Sequence, residues 1–224
     1  MKYPYQTTLE IRYSEPAKQF LVLDAVVKAI SDKPIDKKIV VGGSFEITLK
    51  DKSAKILIEP QRIALSIEEE KSLAEVSDFV DSILKKIFSQ ISFPKVLRIG
   101  CRTLWLKEYP DTFENLIKKY KDVFYKDVPL ITQSSDVAIP LTLEEGGRKI
   151  NFNSGPMKKE QFMALYSQMK NETSIPEKFI FVDIDFFAAL SSPCNFQKKD
   201  ILDFVSEAYN YATKKSSETF AILQ

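Results

Sequence analysis

Two aspartates, Asp183 and Asp185, stand two residues apart in the run FIFVDIDFF. On a strand that spacing turns both side chains to one face. Two convergent carboxylates are what a Mg²⁺ site for phosphoryl transfer or hydrolysis needs. Without a metal, the same pair reads as acids held by salt bridges on a polar face. Arg98 and Arg102 supply matching cations: they stand four apart in VLRIGCRTLWL and share one face of their own strand. The surroundings favour the salt-bridged reading. The GGSF run at 42–45 lacks a phosphate-binding lysine and leads into a strand rather than a helix, so it reads as a plain turn. NSGP at 153–156 likewise reads as a turn after a strand.

Other chemistries are absent from the chain. It has 224 residues and no histidine, which excludes Ser-His-Asp and Cys-His catalysis and histidine-ligated metal. Its two cysteines, Cys101 and Cys194, lack CxxC spacing, so a four-thiolate zinc site is excluded and free thiols in a reducing, cytoplasmic compartment are expected. Cys101 falls in an apolar alternation and reads as a core residue; Cys194 is assigned to the loop SSPCNF. Lys+Arg is 32 against 31 Asp+Glu, so no whole-surface basic footprint for nucleic acid exists. The paired lysines read as solvent faces of helices, without the interleaved aromatics of a stacking platform. No stretch reaches the roughly 18 uncharged apolar residues of a membrane helix. Trp105 and the phenylalanines fall at core periodicity, and no cofactor is expected.

The elements that must position these residues come from periodicity. TLEIRYS, SFEITLKD, AKILIEP and RIALSIEE alternate and read as strands; PAKQFLVLDAVVKAI and SLAEVSDFVDSILKKIFSQI carry apolar residues at helical spacing. Ser72 is placed to cap the second of these helices. The order then recurs: strand VLRIGCRTLWL, helix PDTFENLIKKYKDVF, strands DVAIPLTLEE and RKINFN joined by Gly146-Gly147, strand KFIFVDIDFFAAL and a terminal helix. LEIRYSEP aligns with RTLWLKEYP, and IALSIEE followed by VSDFVDSILKK aligns with VDIDFF followed by ILDFVSEAYNY. The reading is an α+β protein with a duplicated β-α-β-β-β-α unit. The first copy spans 1–94 and the second 95–224, with a short helical insert near 157–169, all in one continuous domain. One-sided alternation predicts a curved antiparallel sheet with helices on one face. That layout resembles TATA-binding-protein-like and helix-grip folds. Its bare face would carry Glu10, Arg12, Glu46, Ser66, Arg98, Arg102, Thr142, Asn151, Asp183 and Asp185, among others.

Arg98, Ile99, Gly100 and Arg102, with Asp183, Ile184 and Asp185, also resemble the motifs of a sporadically distributed prokaryotic family of uncharacterised proteins. That family has an R-I-G-x-R strand in mid-chain, a late D-I-D strand and an amphipathic terminal helix. The likeness covers about residues 40–224. Thr103 and Trp105 stand where the family has Tyr and Asn, and Tyr209 or Tyr211 near its helix histidine. The resemblance implies no activity to transfer.

The expectation is therefore a soluble binding protein rather than an enzyme. Its polar sheet face, centred on Arg98, Arg102, Asp183 and Asp185, would take a protein partner, another copy of itself or a small ligand. The alternatives are a Mg²⁺-dependent phosphoryl-transfer or hydrolytic enzyme using Asp183 and Asp185, and nucleic-acid binding across the sheet.

Overall fold

A computed structural model describes residues 3–14, 19–40, 44–51, 53–90, 95–126, 128–165 and 175–223. Alternation sorts its strands into layers, beginning with β1 (Gln6–Tyr13), which buries Leu9, Ile11 and Tyr13 and turns Thr8, Glu10 and Arg12 the other way. Helix α1 (Gln19–Ala29) follows, and then β2 (Ile35–Val40), β3 (Ser44–Leu49), β4 (Ala54–Glu59) and β5 (Arg62–Ile67). Helix α2 (Leu73–Gln90) begins on a capping box: Ser72 accepts from the Glu75 amide while Glu75 accepts from the Ser72 amide.

The second half opens with β6 (Val96–Glu108) and α3 (Phe113–Phe124), whose N-cap is Thr112. It continues through the single turn α4 (Pro129–Thr132), β7 (Ile139–Glu145), β8 (Arg148–Lys158) and α5 (Lys159–Leu165). It ends with β9 (Lys178–Cys194) and α6 (Lys198–Ile222). Gly146 and Gly147, both at positive φ, make the two-residue turn between β7 and β8.

The nine strands of the described residues form one unclosed, curved antiparallel sheet in the order β2-β3-β4-β5-β1-β6-β9-β8-β7. The α+β class and the curved antiparallel sheet are as the alternation predicts. β1 and β6 pair at the centre, so the sheet runs unbroken across the 94/95 boundary. α1 packs on α2, α2 on α6, α6 across β6 and β9, and α3 on β8. Between these helices and the sheet lies the main core, with Ile11, Ile56, Ile83, Ile99, Val182, Ile184 and Val205 fully buried. Each such aliphatic side chain contributes about 1.5–3 kcal/mol by leaving water. Trp105 and Cys101 are core residues here, as their periodicity predicts.

Several expectations are corrected. NSGP is no turn: residues 153–156 continue β8, in ladder with β9. Gly155 is required there because a Cβ would lie 2.8 Å from the Val137 carbonyl oxygen, where the chain entering β7 passes close. β9 runs on to Cys194, so SSPC belongs to a strand rather than a loop. β2, which carries Lys37–Lys38, has no counterpart in the predicted order. Gly42 and Gly43 of the GGSF run lie outside the described residues, as do 166–169 of the predicted insert.

The largest correction concerns the face expected to be bare. At one end of β6, β8 and β9 the outward positions are apolar: Leu104, Leu106, Met157, Phe179 and Phe181. α5 lies over them and inserts Phe162, which meets Phe179 and Tyr5 edge-on at ring-centroid distances of 5.5 and 6.1 Å. This second core needs the helix, because five neighbouring apolar side chains would otherwise face water.

Candidate functional site

The rest of that face is polar and uncovered among the described residues. Register sets its rows. Across the sheet Lys55, Ser66, Thr8, Arg102, Asp185, Asn151 and Thr142 stand side by side, one per strand from β4 to β7. At the usual strand spacing these seven positions span about 29 Å.

All four residues singled out from the sequence lie on this face, and the fold brings them together in pairs. Arg102 grips Asp183 sideways. Its Nε donates to Oδ1 at 2.8 Å and its Nη2 to Oδ2, a bidentate contact that fixes both groups. Asp183 is only 9% exposed and Arg102 50%, so the arginine shields the acid and carries the contact surface. Arg98 bridges two strands: Nη2 donates to Asp185 Oδ2 at 2.9 Å, and Nη1 donates to Glu10 Oε1. The plane of its guanidinium lies over the Phe187 ring, 4.5 Å from the centroid. Glu10 also accepts from Arg12 Nε at 2.8 Å and Arg62 Nη1 at 3.1 Å, and Arg62 Nε donates to Glu59 at 2.7 Å.

Gly100 and Glu10 are parts of this site that sequence reasoning did not single out. Glu10 was assigned to the polar face, but its role depends on β1 pairing with β6. Gly100 makes room: a Cβ there would meet the Arg98 guanidinium at 3.1–3.3 Å, so the side chain lies flat across the glycine to reach both neighbouring strands. The spacing R-x-G within one strand carries that signal, since Arg98 and Gly100 share a face.

Charge and burial pull the two bridged acids apart. Burial pushes Glu10 up, but the Arg12 hydrogen bond and the charges of Arg98, Arg12 and Arg62 outweigh it and hold its carboxyl below the ordinary value. Burial pushes Asp185 above the ordinary value, Glu10 and Asp183 add to the rise, and Arg98 and Arg102 only partly offset it. Directly beneath, the buried Cys101 thiol is pushed up to about 12, first by burial and then by Asp185, which makes it inert as a nucleophile.

The network lies along two adjoining hollows. One, of about 730 Å³, runs over β4, β5, β1 and β6 and includes Glu10, Lys55, Ser66 and Arg98 in its walls. The other, of about 450 Å³, lies over β7, β8 and β9 beside Asn151, Asn153 and Asp183. Arg102 and Asp185 belong to both. In the first, the Thr8 and Ser66 hydroxyls are 2.7 Å apart.

Chemically, this arrangement presents fixed charges and hydrogen-bonding groups. Arg102 clamps Asp183 and Arg98 bonds Asp185, so each carboxylate has an arginine hydrogen-bonded to it. Among the described residues, no three acids or cysteines cluster as metal ligands. The exposed Cys194 thiol donates to the Ser192 carbonyl. Compared with known proteins, the chain matches no family model and none of the curated proteins.

Proposed function

We propose that this is a binding protein, and that the uncovered part of its sheet face receives a partner chain along the hollows that meet at Arg102. The observation carrying this reading is the state of the charges there. Arg98 and Arg102 are held by carboxylates on neighbouring strands and by the Phe187 ring before any partner arrives. Side chains already fixed lose little rotamer freedom on association. Half-exposed Arg102 is the natural contact point, and the paired charges around it favour a partner with matching polar groups over a uniformly charged polymer. The test is an Arg102→Ala, Asp183→Ala double variant, which removes the pair together and leaves neither charge stranded. It should keep the wild-type circular dichroism and lose the proteins that the immobilised wild type retains from an extract of its own cells. Equal retention by both would sink the reading. The two free thiols fit a reducing, cytoplasmic setting for that partner.

We also infer that the two halves are copies of one unit. Outward from the central pair, the order β1-β5-β4-β3 matches β6-β9-β8-β7. Aligning Pro16 with Pro110 and Ile63 with Val182 makes the pair Thr8–Ser66 equivalent to Arg102–Asp185, and both pairs are in register. The helix alignment sets Val76, Val80, Ile83, Leu84 and Ile87 on Ile201, Val205, Ala208, Tyr209 and Ala212, all ten buried. If the halves are equivalent, Thr8→Arg with Ala64→Asp, the counterparts of Arg102 and Asp183, should create an ion pair whose coupling in a double-mutant cycle is favourable. Simple additivity would count against it.

A further inference from the structure

The matching strand order has one gap. In the first half β3 is followed by a further strand, β2; in the second half β7, at the equivalent place, ends the sheet. Among the described residues its ladder partner is β8 alone. Because Gly146-Gly147 closes a two-residue hairpin, Glu145 and Arg148 form a hydrogen-bonded pair and such pairs recur at every second residue. Leu143, Leu141 and Ile139 therefore spend their main-chain groups on β8. Glu144, Thr142 and Pro140 turn theirs outward, which is where a proline is tolerated. The strand is also exposed on its apolar side. Leu141 and Leu143 are 46% and 38% accessible, beside Ile222 at 55%.

We propose that β7 is a dimerisation edge, pairing antiparallel with β7 of a second copy about a dyad through Thr142. The register follows from the residue types. With the dyad at Thr142, the two threonines exchange main-chain hydrogen bonds, and each Glu144 amide donates to the Pro140 carbonyl across the dyad. Leu141 then meets the partner's Leu143 on the helix side and threonine meets threonine on the polar side, so both faces match. One residue toward the turn sets Leu141 against Glu145. One residue the other way sets Thr142 against donorless Pro140 and so loses the two-bond exchange between the threonines. Dyads at Glu144 or Pro140 oppose two like charges or two donorless residues. Pro140, Leu141 and Thr142 also border the hollow that reaches Arg102, but the dimer would form through the outward main chain of β7, and oligomer mass and partner retention are independent readouts, so each proposal can fail alone.

The test is sedimentation velocity together with disulfide trapping. Wild type should sediment as a concentration-dependent dimer with twice the 25.7 kDa chain mass. Thr142→Pro removes an outward amide without taking a bond from β8 and should give monomer; Leu141→Lys, which keeps every amide, should do the same. In a Cys194→Ser background, Thr142→Cys should be oxidised by diamide to a covalent dimer, because a hydrogen-bonded pair places Cα atoms about 5.5 Å apart, within disulfide reach. Glu144→Cys, separated from its mate by four residues or about 13 Å, should not. A wild type that stays monomeric at every concentration overturns the proposal. So does a dimer that survives both Thr142→Pro and Leu141→Lys, or trapping as efficient at 144 as at 142.

Discussion

On the proposed alignment of the two halves of the sheet, matched positions carry different chemistry. Where β1 and β5 place the hydroxyls of Thr8 and Ser66, 2.7 Å apart, β6 and β9 place Arg102 and Asp185. Where β5 has Ala64, β9 has Asp183, clamped by Arg102. The second half covers the end of its polar face with α5, and among the described residues the first half adds β2 outside the four strands aligned with the other half. One scaffold thus carries a neutral hydrogen-bonding patch and a locked charge ladder side by side. On that alignment buried helix residues fall on buried helix residues, while the exposed positions, which packing does not dictate, differ.

Phe162→Ala should have the largest effect on that contrast. It is fully buried between α5 and the sheet, and its truncation should remove about 3–5 kcal/mol in urea unfolding. A loss below 1 kcal/mol, on the order of a surface change, would mean that the covered end is no true core. Next comes Arg98→Ala, which leaves Glu10 and Asp185 partly buried without their common cation; about 1.5–3 kcal/mol should be lost. The first-half comparison, Thr8→Val, breaks only a hydroxyl pair and should lose about 0.5–1.5 kcal/mol. If Thr8→Val proved the costlier of the two, the charge ladder would be structurally idle.

Smaller still is a pH effect whose sign differs between the two bridged acids. Glu10 has a lowered carboxyl in the folded protein, so its contribution is present above its ordinary value near 4.5 and is lost as pH falls through the folded value. Asp185 has a raised one, so the folded state binds its proton more readily. Stability then falls as pH rises from the ordinary value near 3.8 through the folded value. The two oppose each other in mild acid. Glu10→Gln should flatten the acid-side fall of the melting temperature, and Asp185→Asn should steepen it; calorimetry across that range showing the reverse would invert the assignment. The smallest expected effect is that of Mg²⁺. With both aspartates engaged by arginines, saturating Mg²⁺ should leave the melting temperature unchanged. A rise that Asp183→Asn abolishes would revive the metal-dependent alternative, because a cation bound only by the folded form must stabilise it.

Much of the fold is legible in the periodicity of the chain. Leu9, Ile11 and Tyr13, or Ile180, Val182 and Ile184, recur at every second residue, and that period admits one covered face. The Gly146-Gly147 turn and the Ser72 cap are readable because each depends on neighbours within four residues. NSGP misleads for a physical reason. Turn-forming residues at 153–156 sit in a long strand because Gly155 answers a close approach by the chain at Val137, which local sequence does not display. β2 is equally hidden, since IDKKIV has no clean alternation and is held as a strand by pairing with β3.

The candidate site divides along the same line. That Arg98 shares a face with Arg102, and Asp183 with Asp185, is dictated by spacing alone, because a strand's side chains repeat every two residues. Which arginine meets which acid is not, since a shift of the β6–β9 register by two residues would exchange every partner while keeping every face. Tertiary structure also recruits Glu10 from β1, some ninety residues away in the chain, and lays α5 over Leu104 and Leu106 on a face that alternation alone leaves bare. Local periodicity sets which way a side chain points. What it meets there depends on strand order and register, and those are selected by the packing of the whole sheet.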